Sequence, residues 1–268
     1  MKTTISKLPF LATFFCLLFL STSLYANTSI SEPKLSLDHI ILFLDNTKEN
    51  LSRMNAAGFN EAKALYTRHD GQGTKGYYNL FYNSFLEFLY LESKDEALKN
   101  IDNFGSNYID RWRKNKKICG FAIGLQMKPF KVSKTPFKFS KYVTSLKETQ
   151  NYYIMSLDNK NSSSPMVFIS KPEAYHKSIN HLSDLMRISD LNIRKDVVRY
   201  MSHENGSTHI LKTRITVPVK SINSDILSQV DDFEVVIGNT CQIEIFLKKS
   251  PPFKKVSFGE RGQMNLIF

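Results

Sequence analysis

Residues 37–44 read LDHIILFL, and this stretch decides how the rest of the chain is interpreted. After Asp38 every position except His39 is apolar, which is the pattern of a strand that is buried on both faces. Period-two alternation places His39, Ile41 and Phe43 on one of these faces. The stretch therefore predicts a buried strand that carries one titrating side chain, and that side chain needs a partner.

A second apolar strand carries a carboxylate in the same kind of setting. Residues 85–91 read FLEFLYL, and alternation groups Glu87 with the flanking apolar side chains. A lone buried carboxylate must be paired, protonated or bound to a cation, because its charge is costly in apolar surroundings. His39 and Glu87 thus form half of a metal site. The alternative is that they hydrogen-bond each other or line a pocket without a metal.

The elements between these strands predict a βαβββ order. Asp45-Asn46-Thr47 can cap a helix that runs to Gly58, and residues 59–67 give a weak strand signal. The loop RHDGQGT at 68–74 follows. A strand at 77–82 then turns through Asn83-Ser84 to pair with 85–91 as a hairpin.

The same order of elements begins again near residues 118 and 210, with the third copy shorter. A helical connection at 94–112 precedes the second copy, and residues 172–206 predict helical fragments without a strong strand. The third copy includes a hairpin turn at Gly238-Asn239. These predictions indicate an α+β fold with an internal repeat. The predicted strands of the later copies are 118–126, 137–143, 152–157, 166–170, 210–219, 233–237 and 241–248.

Several of these segments resemble the glyoxalase-like domain family of the vicinal oxygen chelate superfamily. The first copy is similar through LDHIIL at 37–42, AGF at 57–59, HxGQGT at 69–74 and FLEFL at 85–89. Looser similarity continues through GFAIGL at 120–125, PMVF at 165–168 and HENG at 203–206. The resemblance covers most of residues 37–268.

The resemblance implies repeated βαβββ modules that form a cup-shaped mixed sheet with helices on the outside, plus a third, shorter module. It implies paired modules over 37–171, a linker at 172–208 and a partial module at 209–268. In that family a divalent metal is bound from strands one and four of each module. His39 and Glu87 match two of these positions, whereas Gly120 and Ser170 lie near the other two and are not usual metal ligands.

The expected ligand set is therefore incomplete, and one divalent metal (Zn, Mn, Fe or Ni) or none is equally expected. The remaining metal ligands could come from His69, His203, His209 or Glu244, although an alternating strand favours a solvated position for Glu244. Loop glycines permit positive φ and close approach to a ligand. We accordingly assign His69, Gln72 and Tyr78 as ligand-binding residues and Glu87 as a catalytic residue that moves a proton.

Two functions remain open at this stage. One is a non-catalytic protein that binds a small molecule in a pocket around His39 and Glu87. The other is a metal-dependent lyase, isomerase or dioxygenase that acts on a small oxygen-bearing substrate. The sequence leaves open whether the protein is an enzyme.

The first residues predict export. Lys2 and Lys7 precede an apolar run at 8–20, and Ala26 ends a cleavage site with a small residue. We therefore expect a signal peptide at 1–26, a flexible leader at 27–36 and a periplasmic or secreted protein. Without the signal the chain has 34 basic and 25 acidic residues, a net charge of +9. Two cysteines then remain, Cys119 and Cys241, either as one disulfide or as separate buried thiols.

The positive charge is concentrated between residues 111 and 147. This basic stretch contains eleven Lys or Arg residues, no Asp or Glu, and six interleaved aromatic residues. It could bind an anionic ligand or surface, or it could form the solvated faces of ordinary strands. Export argues against a nucleic-acid partner.

Overall fold

The computed structural model describes residues 32–63, 66–104, 108–112, 115–142, 153–170, 191–248, 254–258 and 264–268. The predicted signal peptide, with its cleavage site, lies outside these residues. Residues Pro33–Phe268 form one unit that contains two mixed β-sheets and four α-helices within the described ranges. The fold is therefore α+β, as predicted. Within the part of the chain that the structure describes, no helix is long and apolar enough to cross a membrane.

The first sheet has eight strands in the order β2-β3-β4-β1-β5-β8-β7-β6. Strand β1 pairs in parallel with β4 and antiparallel with β5, and β5 pairs in parallel with β8. The strands are β1 (Lys34–Phe43), β2 (Thr67–His69), β3 (Thr74–Leu80), β4 (Phe85–Leu91), β5 (Phe121–Lys128), β6 (Phe139–Tyr142), β7 (Tyr153–Ser156) and β8 (Met166–Ser170).

Two helices belong to the first half of this sheet. Helix α1 (Thr47–Ala56) follows β1, and Asn46 caps it by accepting a hydrogen bond from the backbone N–H of Glu49. Helix α2 (Lys94–Phe104) follows β4 and leads to a short 3₁₀ turn at Ile109–Trp112. The weak strand predicted at 59–67 is wrong for the residues that the structure describes there, because only Thr67 of this range is in a strand, the short β2.

The second sheet has five strands in the order β10-β9-β11-β13-β12. Its strands are β9 (Ile210–Val217), β10 (Phe233–Ile237), β11 (Gln242–Leu247), β12 (Lys255–Phe258) and β13 (Met264–Ile267), with helix α3 (Leu191–Met201) before them and α4 (Ile222–Leu227) after β9. The hairpin predicted at Gly238-Asn239 is wrong, because β9 lies between β10 and β11 and pairs with both. Strands β12 and β13 were not predicted.

The two faces of the eight-stranded sheet have different neighbours. One face contributes Ile40, Phe88 and Ile123 to the larger apolar core, together with α1 and inward residues of the second sheet. The opposite face, which we call the inner face, carries Phe43 and Leu89 and packs against Ala97 of α2 and against the 3₁₀ turn. Helix α1 thus lies on the face opposite the inner face, whereas α2 covers part of the inner face.

Polar and covalent links join the two sheets. Cys119, just before β5, forms a disulfide with Cys241, just before β11, across 122 residues of sequence. Close by, Asn159 donates one hydrogen bond to the backbone of Val167 and accepts another from it. Asn159 also accepts a hydrogen bond from the side chain of Asn223, in the first turn of α4. Of the two states that the sequence left open for the cysteines, the structure has the bonded one.

The inner face is strongly curved. The side chain of Asn100 on α2 donates to the carbonyl oxygen of Gly71, in the turn between β2 and β3, and accepts from the hydroxyl of Tyr142 on β6, each at 2.8 Å. In a flat sheet β2 and β6 would be seven strand spacings apart, roughly 34 Å. A single asparagine can reach both ends only because the sheet bends around the helix.

Candidate functional site

Asp38 and His39 are consecutive residues of β1, and their side chains contact each other. Consecutive side chains of a regular strand point to opposite faces, but the pairing of β1 with β5 shifts register between Leu37 and His39. This irregularity lets the Asp38 carboxylate reach its neighbour, with 2.7 Å between Asp38 Oδ2 and His39 Nδ1. His39 is 1 % exposed, so the pair is removed from water.

Asp38 is held as a charged carboxylate by donors from two other strands. Gln126 Nε2 donates to Oδ1 at 2.6 Å, and Ser170 Oγ donates to Oδ2 at 3.0 Å. Burial raises the pKa of Asp38, but the hydrogen bonds from His39, Gln126 and Ser170 outweigh it, so the pKa of this carboxyl lies below its usual value. A carboxylate can only accept hydrogen bonds, so the proton of the shared bond belongs to His39 Nδ1.

The His39 ring is enclosed by aromatic rings and by a glycine. Phe85 stacks on it with 4.3 Å between ring centroids, and Phe168 meets it edge-on at 5.3 Å. Gly124 is the β5 residue paired with His39. A Cβ atom on Gly124 would lie 2.7 Å from His39 Cε1, so a side chain at this position would displace the ring.

A second polar group lies on β2, β3 and β4. His69 Nε2 is 3.0 Å from the hydroxyl of Tyr78 and 3.5 Å from Glu87 Oε1, and the Tyr78 hydroxyl donates to the same Glu87 oxygen at 3.3 Å. His69 Nδ1 is 3.0 Å from Thr74 Oγ1. The structure thus brings together three of the predicted residues, His69, Tyr78 and Glu87. It does not pair Glu87 with His39 as the sequence suggested, because the described carboxylate contact of His39 is with Asp38.

The glycine loop at 69–74 packs onto α2. The backbone N–H of Gly71 donates to Glu96, and the hydroxyl of Tyr108 donates to the Gln72 carbonyl at 2.7 Å. Gly73 has φ +68°, and a Cβ there would lie 2.1 Å from the carbonyl oxygen of Ser93. The glycines of this loop therefore permit a close approach to α2. The described hydrogen bonds of Gln72 involve its backbone and not its side chain.

Aromatic rings connect the two polar groups in one continuous row along the inner face. Tyr78 on β3 contacts Phe85 at 6.0 Å between centroids, Phe85 stacks on His39, His39 meets Phe168, and Phe168 contacts Tyr153 on β7 at 5.4 Å. We call these five residues the aromatic arc. Burial raises the pKa of Tyr78, and Glu87 and then Tyr153 raise it further. The two tyrosines therefore influence each other although β3 and β7 are five strands apart.

The residues of the site do not fit a divalent metal. No group of three or more His, Cys, Asp or Glu side chains that could hold a metal ion occurs in the described ranges. Ser170, near one expected ligand position, donates to Asp38. At the other, Gly124 and not Gly120 is the residue opposite His39, and its missing Cβ makes room for the imidazole.

The remaining candidate ligands lie elsewhere. Glu244 is paired with Arg214 across β11 and β9 and also contacts Lys255, so it belongs to an ion network on the second sheet. His203 accepts from the backbone N–H of Asn60 and donates to the carbonyl of Leu80, and burial lowers its pKa to about 4. His203 is therefore a neutral structural histidine. His209 lies 2.9 Å from the hydroxyl of Thr208.

The basic stretch divides into buried and exposed parts. Arg111 is fully buried and donates to the carbonyl oxygens of Cys119, Asn159 and Ser164, and burial lowers its pKa to about 10. It is therefore unavailable to an anionic ligand. The aromatic residues of the stretch pack into the core, whereas six of its described lysines (Lys116, Lys117, Lys128, Lys134, Lys138 and Lys141) are exposed. Arg113, Lys114 and Lys147 lie outside the described residues.

Sequence reasoning missed Asp38 and most of the aromatic arc. Asp38 directly precedes a strand histidine, which is the one local signal that could have drawn attention to it. Phe85 and Phe168 were treated as ordinary strand residues, although alternation places Phe85 on the same face as Glu87.

Comparisons with known proteins bear on the fold. No family model matches this sequence, and no curated protein is similar to it. Among solved structures, the chain is similar to the crystal structure of a hypothetical protein from Staphylococcus aureus, with a TM-score of 0.50 and 13 % sequence identity. The similarity covers 87 % of this chain and 98 % of that chain. At this level of identity, what the two chains share is a fold.

Proposed function

We propose that the protein is an exported, glyoxalase-like small-molecule-binding protein whose ligand lies in a cup on the inner face, held by organic side chains without a metal. The observation that carries this proposal is the aromatic arc with a buried histidine–carboxylate contact on either side of Phe85: Asp38 with His39, and Glu87 with His69. Buried polar groups among aromatic rings, on the concave side of a bent sheet, are typical of ligand sites.

The proposal includes repeated βαβββ modules over residues 37–171. Support comes from strand order, because β2-β3-β4-β1 and β6-β7-β8-β5 read alike from each edge of the sheet to its middle. Register agrees with this equivalence: His39 pairs with Phe85 as Gly124 pairs with Phe168, and Tyr78 pairs with Glu87 as Tyr153 pairs with Ser170. The third, shorter module at 209–268 is part of the same proposal.

The equivalence also accounts for the incomplete ligand set. If Gly124 corresponds to His39 and Ser170 to Glu87, the second module has lost both metal-binding side chains. The serine instead donates to Asp38, and the glycine leaves room for the His39 ring. A glyoxalase-like cup of this kind binds its ligand through hydrogen bonds and ring contacts.

A fragment screen with a matched pair of variants tests the proposal. Compounds that raise the melting temperature of the native protein are measured again on Glu87→Gln and on Glu244→Gln. Both variants replace a strand carboxylate by its amide, but Glu244 belongs to the other sheet. We expect inner-face ligands to lose their effect in Glu87→Gln and to keep it in Glu244→Gln. Hits that are indifferent to both substitutions would show that the binding site lies elsewhere.

Elemental analysis tests the absence of a metal. We expect less than stoichiometric Zn, Mn, Fe and Ni in the purified protein, and no change in melting temperature when these ions are added. Stoichiometric metal that is lost in His39→Ala would contradict the metal-free site and would favour the metal-dependent lyase, isomerase or dioxygenase.

A further inference from the structure

The inner face carries two buried carboxyl side chains in a basic protein. The chain has a formal net charge of +11, yet the two carboxylates of the site, Asp38 and Glu87, are 6 % and 5 % exposed. The hydrogen bonds and ion pairs described for these carboxylates come from His, Gln, Ser and Tyr side chains, and none comes from Lys or Arg. The site thus offers carboxylate oxygens, and no described lysine or arginine, in a molecule whose net charge is positive.

The described contacts of Glu87 leave one of its two carboxylate oxygens unused. Both of its described contacts, with Tyr78 and His69, use Oε1. Within the described residues Oε2 has no hydrogen bond or ion pair. A carboxylate oxygen in such a position favours a cation or a hydrogen-bond donor, because an unpaired charge with little access to water is unfavourable.

The rings next to Glu87 present the complementary surface. Tyr78, Phe85 and Tyr153 are each only partly buried, so the two ends and one inner member of the aromatic arc are accessible to a ligand. The face of an aromatic ring carries partial negative charge and attracts ammonium groups, most strongly where water is excluded. Rings of the arc and the Glu87 carboxylate therefore favour the same ligand charge.

We propose that the ligand of this site is a small organic cation, in which an ammonium group is attached to an apolar body. The ammonium group lies against Glu87 and the ring of Tyr78, and the apolar body lies along Phe85 toward Tyr153. This inference rests on the proposed function and names its ligand class. An anionic ligand would face both carboxyl side chains without a described lysine or arginine partner, and a ligand with no donor or positive charge would leave Glu87 Oε2 without a contact.

Isothermal titration calorimetry with three probes of similar shape tests the inference. Benzyltrimethylammonium carries the positive charge, benzyl alcohol is neutral and benzoate is negative. We expect the cation to bind at least about tenfold more tightly than the alcohol, with no detectable binding of benzoate. Raising the salt concentration should weaken the binding of the cation alone. The decrease should be modest, because a buried charge pair is poorly screened.

Variants assign the effect to the site. Glu87→Gln should lower the affinity for the cation about tenfold and leave the alcohol unchanged, whereas Glu244→Gln should change neither. Tyr78→Phe retains the ring and should retain most of the affinity for the cation. Tyr78→Leu removes the ring and should lose this affinity. Circular dichroism and thermal unfolding of each variant separate loss of binding from loss of fold.

The possible outcomes distinguish the two proposals. Binding of benzyl alcohol or benzoate that matches or exceeds that of the cation, and that Tyr78→Leu abolishes, would overturn the organic-cation ligand but leave a small-molecule site. Cation binding that is unaffected by Glu87→Gln and Tyr78→Leu would also overturn the inference, because the cation then binds elsewhere. If no probe binds and the fragment screen yields no inner-face hit, both proposals fail.

Discussion

At the scale of single residues, the site depends on where the chain departs from regular strand geometry. Asp38 reaches His39 because the pairing of β1 and β5 shifts register at this point. Gly124 then leaves the volume that the imidazole occupies. Two local features, a register shift and a missing Cβ, thus turn a potential metal ligand into a histidine that is fixed by a carboxylate.

His203 leads to a prediction for the pH dependence of stability. Its pKa in the folded protein is about 4, below the ordinary value of 6.5, because it is buried as a neutral ring. The unfolded chain therefore binds a proton more readily, and the contribution of His203 to stability is complete above pH 6.5 and is lost as the pH falls toward 4. The full loss is about 3 kcal/mol.

Urea unfolding at several pH values checks this prediction. The decrease in the free energy of unfolding between pH 6.5 and 4 should become smaller in His203→Gln, which cannot titrate. His209→Gln serves as the control, since His209 is less buried. An unchanged pH dependence in His203→Gln would contradict the assignment.

At the scale of elements, α2 determines the shape of the inner face. Its residues contact the turn between β2 and β3 at one end of the sheet and Tyr142 on β6 at the other. The position of His69 at the start of this turn therefore depends on how closely the turn packs against the helix.

Two glycine substitutions measure how much this packing contributes. Gly73 and Gly206 both have positive φ, +68° and +76°, but a Cβ on Gly73 would collide with backbone atoms whereas Gly206 has nothing within 4 Å. We expect Gly206→Ala to lower the free energy of unfolding by about 1 kcal/mol from backbone strain alone. Gly73→Ala should cost at least about 2 kcal/mol more because the loop must move. Equal effects in thermal or urea unfolding would mean that the turn adapts without cost.

At the scale of the whole molecule, the two sheets are joined by a shared apolar core, by buried asparagines and by one disulfide. Arg111 donates to carbonyl oxygens beside this junction and lacks a described carboxylate partner within ion-pair distance. The junction is thus built from backbone acceptors and amide side chains.

Removal of the disulfide should destabilise the protein substantially. The bond joins residues 122 apart in sequence, and a cross-link of that span stabilises by about 5 kcal/mol through the unfolded state. We expect the double variant Cys119→Ala/Cys241→Ala to show this loss in urea unfolding. Adding a reducing agent to the native protein should produce a similar loss and should not affect the variant. Equal stability with and without the bond would mean that the core alone holds the sheets together.

Local sequence patterns were sufficient for some of these features. Alternation is a property of neighbouring residues, so it placed His39 with Ile41 and Glu87 with Phe85 before any partner strand was known. The α+β class follows from the same local patterns.

Features that depend on distant pairing could not be predicted in this way. Asp38 joins the site through a register shift against β5 and a hydrogen bond from Gln126, 88 residues away. Strand β9 inserts between β10 and β11, so a turn signal at Gly238-Asn239 suggested a hairpin that does not form. Gln72 has a side chain suited to binding, but its described contact with Tyr108, just before the 3₁₀ turn, is through its backbone carbonyl oxygen.

The bond between Cys119 and Cys241 also determines what a cut in the chain would do. Any single proteolytic cleavage between these two positions leaves both fragments covalently attached to each other. Nicked protein would then migrate as one full-length band on a denaturing gel until a thiol is added, and as two shorter bands afterwards. A preparation that looks intact without reductant can therefore already be cleaved, and the two gels together reveal it.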